Sequence, residues 1–169
     1  MDRPLEKELP VKLYRYFQEN TMTGVASTVD EEGFPHGAPM SMFYALDPGT
    51  MLMAVQNGSV TFLNACRSGR IALTFISGGD LAVTIQARVQ VLRENMENSK
   101  YMGILYLELQ NVRSNVAQDV EIKEGLELVF RSQRWREYIG WILGELHSYT
   151  RGSNGELIKG ESNNHGGWI

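Results

Sequence analysis

Period-two alternation, closely spaced turn signals and the lack of long helices between strands predict a mainly β chain, a small barrel or sandwich with appended helices. The alternation is clearest over Leu81–Leu92, where Val83, Ile85, Ala87, Val89 and Val91 interleave with Thr84, Gln86, Arg88 and Gln90. A parallel α/β sheet would need a helix after each strand, and the apolar runs are too close together for that. The 169 residues suit one domain. Residues 1–149 are expected to form it, with helices near both ends. Residues 150–169, rich in Gly, Ser and Asn, are expected to form a polar, mobile tail. Trp168 and Ile169 end that tail with apolar surface suited to docking.

The elements follow in order. Pro10 suits a first helical turn, and Leu13, Tyr14 and Phe17 share one face of a helix ending by Asn20. Thr23–Val29 reads as a strand, Asp30–Gly33 as its turn, and Pro35–Tyr44 as the returning strand. Pro35 and Pro39 lack the N–H that a full ladder needs. Asp47-Pro48-Gly49-Thr50 is a β-turn leading into a strand over Met51–Val55. Ser59 can cap a short helix over Val60–Cys66 that Ser68-Gly69 stops. Strands Arg70–Ile76 and Leu81–Leu92 flank the turn Ser77–Asp80. A helical or irregular link over Asn95–Tyr101 precedes a strand at Ile104–Val112. Gly125–Phe130 reads as a further strand. The last helix spans about Ser132 to His147, with Trp135, Tyr138, Ile139, Ile142 and Leu146 on its buried stripe.

Charge and composition exclude several classes. With 16 basic and 20 acidic residues the net charge is −4, and no basic run exists to neutralise phosphates, which argues against nucleic acid. Nothing approaches the roughly 20 apolar residues of a membrane span. The Met-Asp-Arg-Pro opening is not a secretory signal, so a cytoplasmic protein is expected.

Familiar catalytic signatures are absent, and no catalytic residue is assigned. His36, His147 and His165 lie far apart without metal-ligand spacing, so no metal is expected. His36 reads as a surface residue beside a turn, and His147 as a complement to a helix C-terminus. Cys66, the single cysteine, lies at the wrong helix end for thiol activation and reads as a buried structural residue. Gly58-Ser59 opening a helix offers N–H groups and hydroxyls that suit a phosphate, although Asn-Gly-Ser is equally ordinary turn chemistry.

Between Thr23 and Val91 the order of elements is more telling. Gly-Val-Ala-Ser-Thr-Val, Asp-Glu-Glu-Gly-Phe-Pro-His-Gly-Ala-Pro and Met-Leu-Met-Ala-Val-Gln-Asn-Gly-Ser follow one another, then the short helix and Arg-Ile-Ala-Leu-Thr-Phe. The chain thereby resembles the pyridoxamine 5'-phosphate oxidase-like family of FMN-binding split β-barrels. The resemblance implies a homodimer with two FMN sites at its interface and a small-molecule substrate that it does not identify. The flavin ring would lie along Pro39, Met40, Ser41 and Met42, with Val55 and Gln56 lining the site. The phosphate would sit by Ser59 and Thr61, with Arg67, Arg70 or Arg88 as the candidate cation. Family members usually carry Arg or Lys in the first of these strands and just after the helix-opening Ser; here those places read Pro-Met-Ser-Met and Val60. The implied function is a flavin-dependent oxidoreductase. The alternative is a non-catalytic ligand-binding or stress-related dimer of the same fold that has lost flavin.

Overall fold

The computed structural model describes residues 6–19 and 21–161, so Asn20, His165, Trp168 and Ile169 lie outside the described residues. Helix α1 (Val11–Glu19) precedes β1 (Gly24–Val29), β2 (Pro35–Met40), β3 (Phe43–Asp47) and β4 (Thr50–Gln56). Helix α2 (Val60–Ser68) leads to β5 (Arg70–Ser77), β6 (Leu81–Arg93) and β7 (Met102–Ser114). Helix α3 (Gln133–His147) and the short strands β8 (Tyr149–Arg151) and β9 (Leu157–Lys159) complete the described chain.

Seven strands form one antiparallel sheet in the order β2-β1-β5-β6-β7-β4-β3. Its two edge strands are consecutive in sequence, joined only by Ser41 and Met42. Three peptide steps span at most about 11 Å, so the sheet must curl until its edges nearly meet at that point. The result is a barrel split between β2 and β3. The stretch Pro35–Tyr44, expected as one strand, is therefore two. Its first part pairs with β1, and the chain then crosses to β4, where Ala54 N–H donates to the Met42 carbonyl at 3.0 Å. Pro39 is tolerated because β2 is an edge strand.

Inside the barrel, Ala26, Leu73, Ile85, Met53 and Leu105 are fully buried, and α1 and α2 add Leu13, Phe17, Phe62 and Ala65 to the same core. A second core lies outside the sheet, where Leu52, Ala54 and Ile104 meet Ile139, Ile142, Leu143 and Leu146 of α3. Strand β4 is thus buried on both faces, which explains why Met51–Val55 is continuously apolar instead of alternating. Ser132, expected as the first residue of the last helix, is its N-cap instead, and Trp135 is turned outward and 57% exposed, resting edge-on against Tyr138. Leu143 and Glu145 take buried places on the helix instead.

Two other stretches differ from expectation. Gly125–Phe130 joins no sheet; it belongs to a run without regular structure between β7 and α3. Residues 149–159, all but Tyr149 within the stretch expected as a polar tail, form the β8–β9 hairpin. Arg151 ties it to the barrel through its Nε on Asp47 Oδ2 (2.8 Å) and its Nη2 on the Tyr106 hydroxyl (2.7 Å) and Thr50 Oγ1 (3.2 Å). The Asp47 carboxylate, first among its surroundings, holds that guanidinium more firmly protonated than usual.

His147 ends α3 with its ring 4.4 Å from that of Tyr44. Burial pushes its imidazole pKa below the ordinary 6.5, because the charged form is poorly solvated there. The unfolded chain then binds more protons than the folded one below about pH 6.5, so stability falls as the pH drops through that range. Denaturant titrations between pH 7.5 and 5 should show this slope, and His147→Gln should flatten it; an unchanged slope would assign the effect elsewhere.

Candidate functional site

The junction of β4 and α2 is built mainly from Asn57 and Ser59. Val55 is buried in the barrel and Gln56 is exposed. Asn57 N–H donates to the Tyr101 carbonyl at 3.0 Å. Its side-chain amide reaches the carbonyls of Glu94 (3.1 Å) and Lys100 (3.0 Å) and Asn95 Oδ1 (3.1 Å). One amide thus pins the irregular link before β7 to the start of α2. From the other side Glu145, fully buried, accepts from the backbone N–H groups of Glu97 (3.0 Å) and Asn98 (3.1 Å).

Ser59 is extended (φ −75°, ψ 155°), and its Oγ accepts from Phe62 N–H at 3.2 Å, so it caps α2 as expected. Leu63 N–H returns to the Ser59 carbonyl. The N–H groups of Val60 and Thr61 have no acceptor within the helix and carry the positive end of its dipole. Thr61 is buried and Val60 is half exposed. This is an anion-accepting arrangement made of N–H groups and hydroxyls.

Arg67 stands at the other end of the helix. It lies eight residues beyond Ser59, about 12 Å along the axis at 1.5 Å per residue. Its Nη2 donates to the Val29 carbonyl, while Asn64 Nδ2 donates to Thr28 Oγ1 at 3.3 Å. These two contacts fix α2 on β1 and direct the guanidinium to the helix C-terminus. Gly69 ends the helix at φ 65°, the left-handed conformation the Ser-Gly stop predicts. Cys66 is exposed, not buried as expected, because α2 presents it to the outside. Partial desolvation, then the nearby Glu94 charge, pushes its thiol pKa up, the wrong direction for a nucleophile.

The remaining candidates lie along the split. Met42 adjoins Ala54 and so continues into Val55, Gln56 and Ser59. Pro39 and Met40 sit opposite Val25 and Gly24 at the far end of β2. Ser41 lines a cleft of about 560 Å³ between the ends of β1 and β5, residues 124–130 and α3. Ser59, Thr61 and Arg67 do not line it. The cleft wall at residues 124–130 was not legible in the sequence as a site, because Leu126, Leu128 and Phe130 alternate as a strand does. Among the described residues no group of His, Cys, Asp and Glu could hold a metal, and no helix is long and apolar enough to cross a membrane.

Residues 11–142 match the sequence model of a family described as pyridoxamine 5'-phosphate oxidase. No curated protein matches the chain. Among solved structures, a candidate pyridoxamine 5'-phosphate oxidase from Lactobacillus delbrueckii superposes with a TM-score of 0.57 at 20% identity, covering 67% of this chain and 99% of the other. The HupZ protein of Group A Streptococcus gives 0.53 at 14% identity over 64% of this chain and 98% of its own. A second candidate oxidase, from Listeria innocua, gives 0.51 at 15% identity over 63% and 97%. At such identities the structural likenesses speak for the fold alone, a split barrel in each case.

Proposed function

Since the chain belongs to the pyridoxamine 5'-phosphate oxidase family, we propose that it binds FMN and serves as a flavin-dependent oxidoreductase, working as a homodimer. The observation that carries this reading is the start of α2. There two N–H groups without a helical acceptor and the hydroxyls of Ser59 and Thr61 follow directly on the stripe Met42, Val55 and Gln56. These donors fit a phosphate, and the backbone of residues 39–42 would meet the polar edge of the ring. When bound, a flavin supplies the hydride or electron transfer, and the protein orients it. Ser59 would hold the phosphate while keeping α2 capped, and Asn57 would keep the adjoining link in place.

The dimer is supported by an uncovered sheet face. Helix α3 packs on β3, β4 and β7, leaving the outer row Gly37, Ser27, Ala72 and Gln86 across β2, β1, β5 and β6 without a covering element among the described residues. Asn111 extends the row, its Nδ2 donating to Gln86 Oε1 at 3.1 Å.

One observation favours the second reading, a non-catalytic ligand-binding or stress-related dimer. No lysine or arginine stands among residues 56–63, and Arg67 donates to the Val29 carbonyl. A visible spectrum of the purified protein and a titration with FMN separate the two. Flavin bands or saturable quenching support the oxidoreductase; a colourless protein that ignores micromolar FMN supports the alternative. Ser59→Asp sharpens the test, because aspartate caps a helix as well as serine does. The variant should stay folded and bind FMN at least tenfold more weakly through repulsion of the phosphate. Equal affinity would remove the phosphate from α2.

A further inference from the structure

The run between β7 and α3, residues 115–132, has no regular structure, and loops of that length are commonly binding loops or lids. It is seated firmly at one place. Ile122 N–H donates to Asp80 Oδ1 at 2.9 Å, and Asp80 holds a left-handed φ of 59° in the β5–β6 turn. A Cβ on Gly125 would stand 2.1 Å from the Ile76 carbonyl oxygen, and one on Gly78 2.5 Å from that of Lys123. Two backbones therefore approach so closely that only glycine fits on either side.

Beyond this seat the chain runs over the cleft. Leu126 and Leu128 are 43% and 39% exposed although they line a concave wall. Ile139 and Leu143 of α3 also line the cleft, and Thr23, Ser41 and Ser77 bring hydroxyls to it. Its charged residues are Glu124, Glu127 and Arg136, all exposed, of both signs and in no ion pair among the described residues. Nothing in that set selects an ion. A volume of about 560 Å³ whose walls combine apolar side chains with hydroxyls and other polar groups is that of a small-molecule pocket.

We propose that this cleft binds a neutral, mainly apolar organic molecule carrying a hydrogen-bonding group, with residues 124–130 as its lid. The occupant would cover the leucines that the lid leaves half exposed, while the Gly125 seat keeps the lid in register. Ser41 is shared with the segment proposed to meet the flavin ring, so the test is read at Leu128, which lies outside that segment, on protein free of FMN.

The test uses the full chain and the neutral fluorescent amine N-phenyl-1-naphthylamine. A saturable fluorescence increase is expected, with affinity at least tenfold weaker in Leu128→Asp. Val120→Asp, on the same run but outside the cleft, should bind as the unaltered protein does. Should Leu128→Asp fail to fold, as judged by circular dichroism, Gly125→Val replaces it, displacing the lid from Ile76 with the same loss of binding. No saturable signal, or unchanged affinity in the folded lid variant, overturns the proposal. So does tighter binding of the anionic 1-anilinonaphthalene-8-sulfonate that disappears in Arg136→Gln, which would make the ligand an acid. Probe binding that falls as protein concentration rises would show a second copy covering the cleft, and would also overturn it.

Discussion

Val60→Arg should tighten FMN binding by about tenfold or more, the range set by a hydrogen bond to a charged group. Val60 is half exposed at the first position of α2, so the longer side chain needs no repacking. It would place a guanidinium beside the N–H groups of Val60 and Thr61, where the family usually carries a cation and this chain carries none. The gain should shrink as salt is raised, since part of it is a screened charge interaction. Fluorescence titration at two ionic strengths measures both effects. Unchanged affinity at low salt would mean that the phosphate does not lie at the start of α2. Together with Ser59→Asp, which adds the opposite charge next to it, this gives a pair of variants with opposite expected signs on one unaltered helix.

Phe75→Ala should cost about 3–5 kcal/mol of stability, the usual range for emptying an aromatic site in a core. Phe75 is fully buried on β5, its ring 4.7 Å from Phe17 of α1 and 5.1 Å from Phe43 of β3, both edge-on. It thus links the middle of the sheet, the edge strand beside the split and the N-terminal helix. A Cβ on Gly24 would come within 2.6 Å of the same ring, so the neighbouring backbone is fitted to it. Urea unfolding of the variant measures the loss, and Phe75→Leu should recover part of it. A cost below about 1.5 kcal/mol would mean that the site collapses onto the cavity, and that α1 is not held by this ring.

Local features are legible in the sequence where local physics decides them. Ser59 caps α2, and Gly69 ends it in the left-handed form, because capping depends on groups within three or four residues. The alternation over Leu81–Leu92 became the thirteen-residue strand β6 for the same kind of reason. Pro35–Tyr44 has the pattern of one strand because both halves are strands; what divides them is which partner each finds across the sheet. Leu126, Leu128 and Phe130 alternate like a strand yet find no partner, being held by the Gly125 contact with β5. Cys66 and Trp135 look apolar in sequence and face outward all the same.

The chain's mainly β character, its caps and turns, and its lack of a cation beside Ser59 were thus determined by the sequence alone, because each depends on composition or on near neighbours. Only the tertiary structure decided that two residues bridge the open edges of the barrel and that Arg67 is spent on Val29 at the far end of its helix. It also decided that Glu145 is buried against backbone N–H groups 47 and 48 residues away, and that residues 124–130 wall a cleft. Those outcomes follow from how a curled sheet brings distant segments together, and no periodicity along the chain encodes that distance.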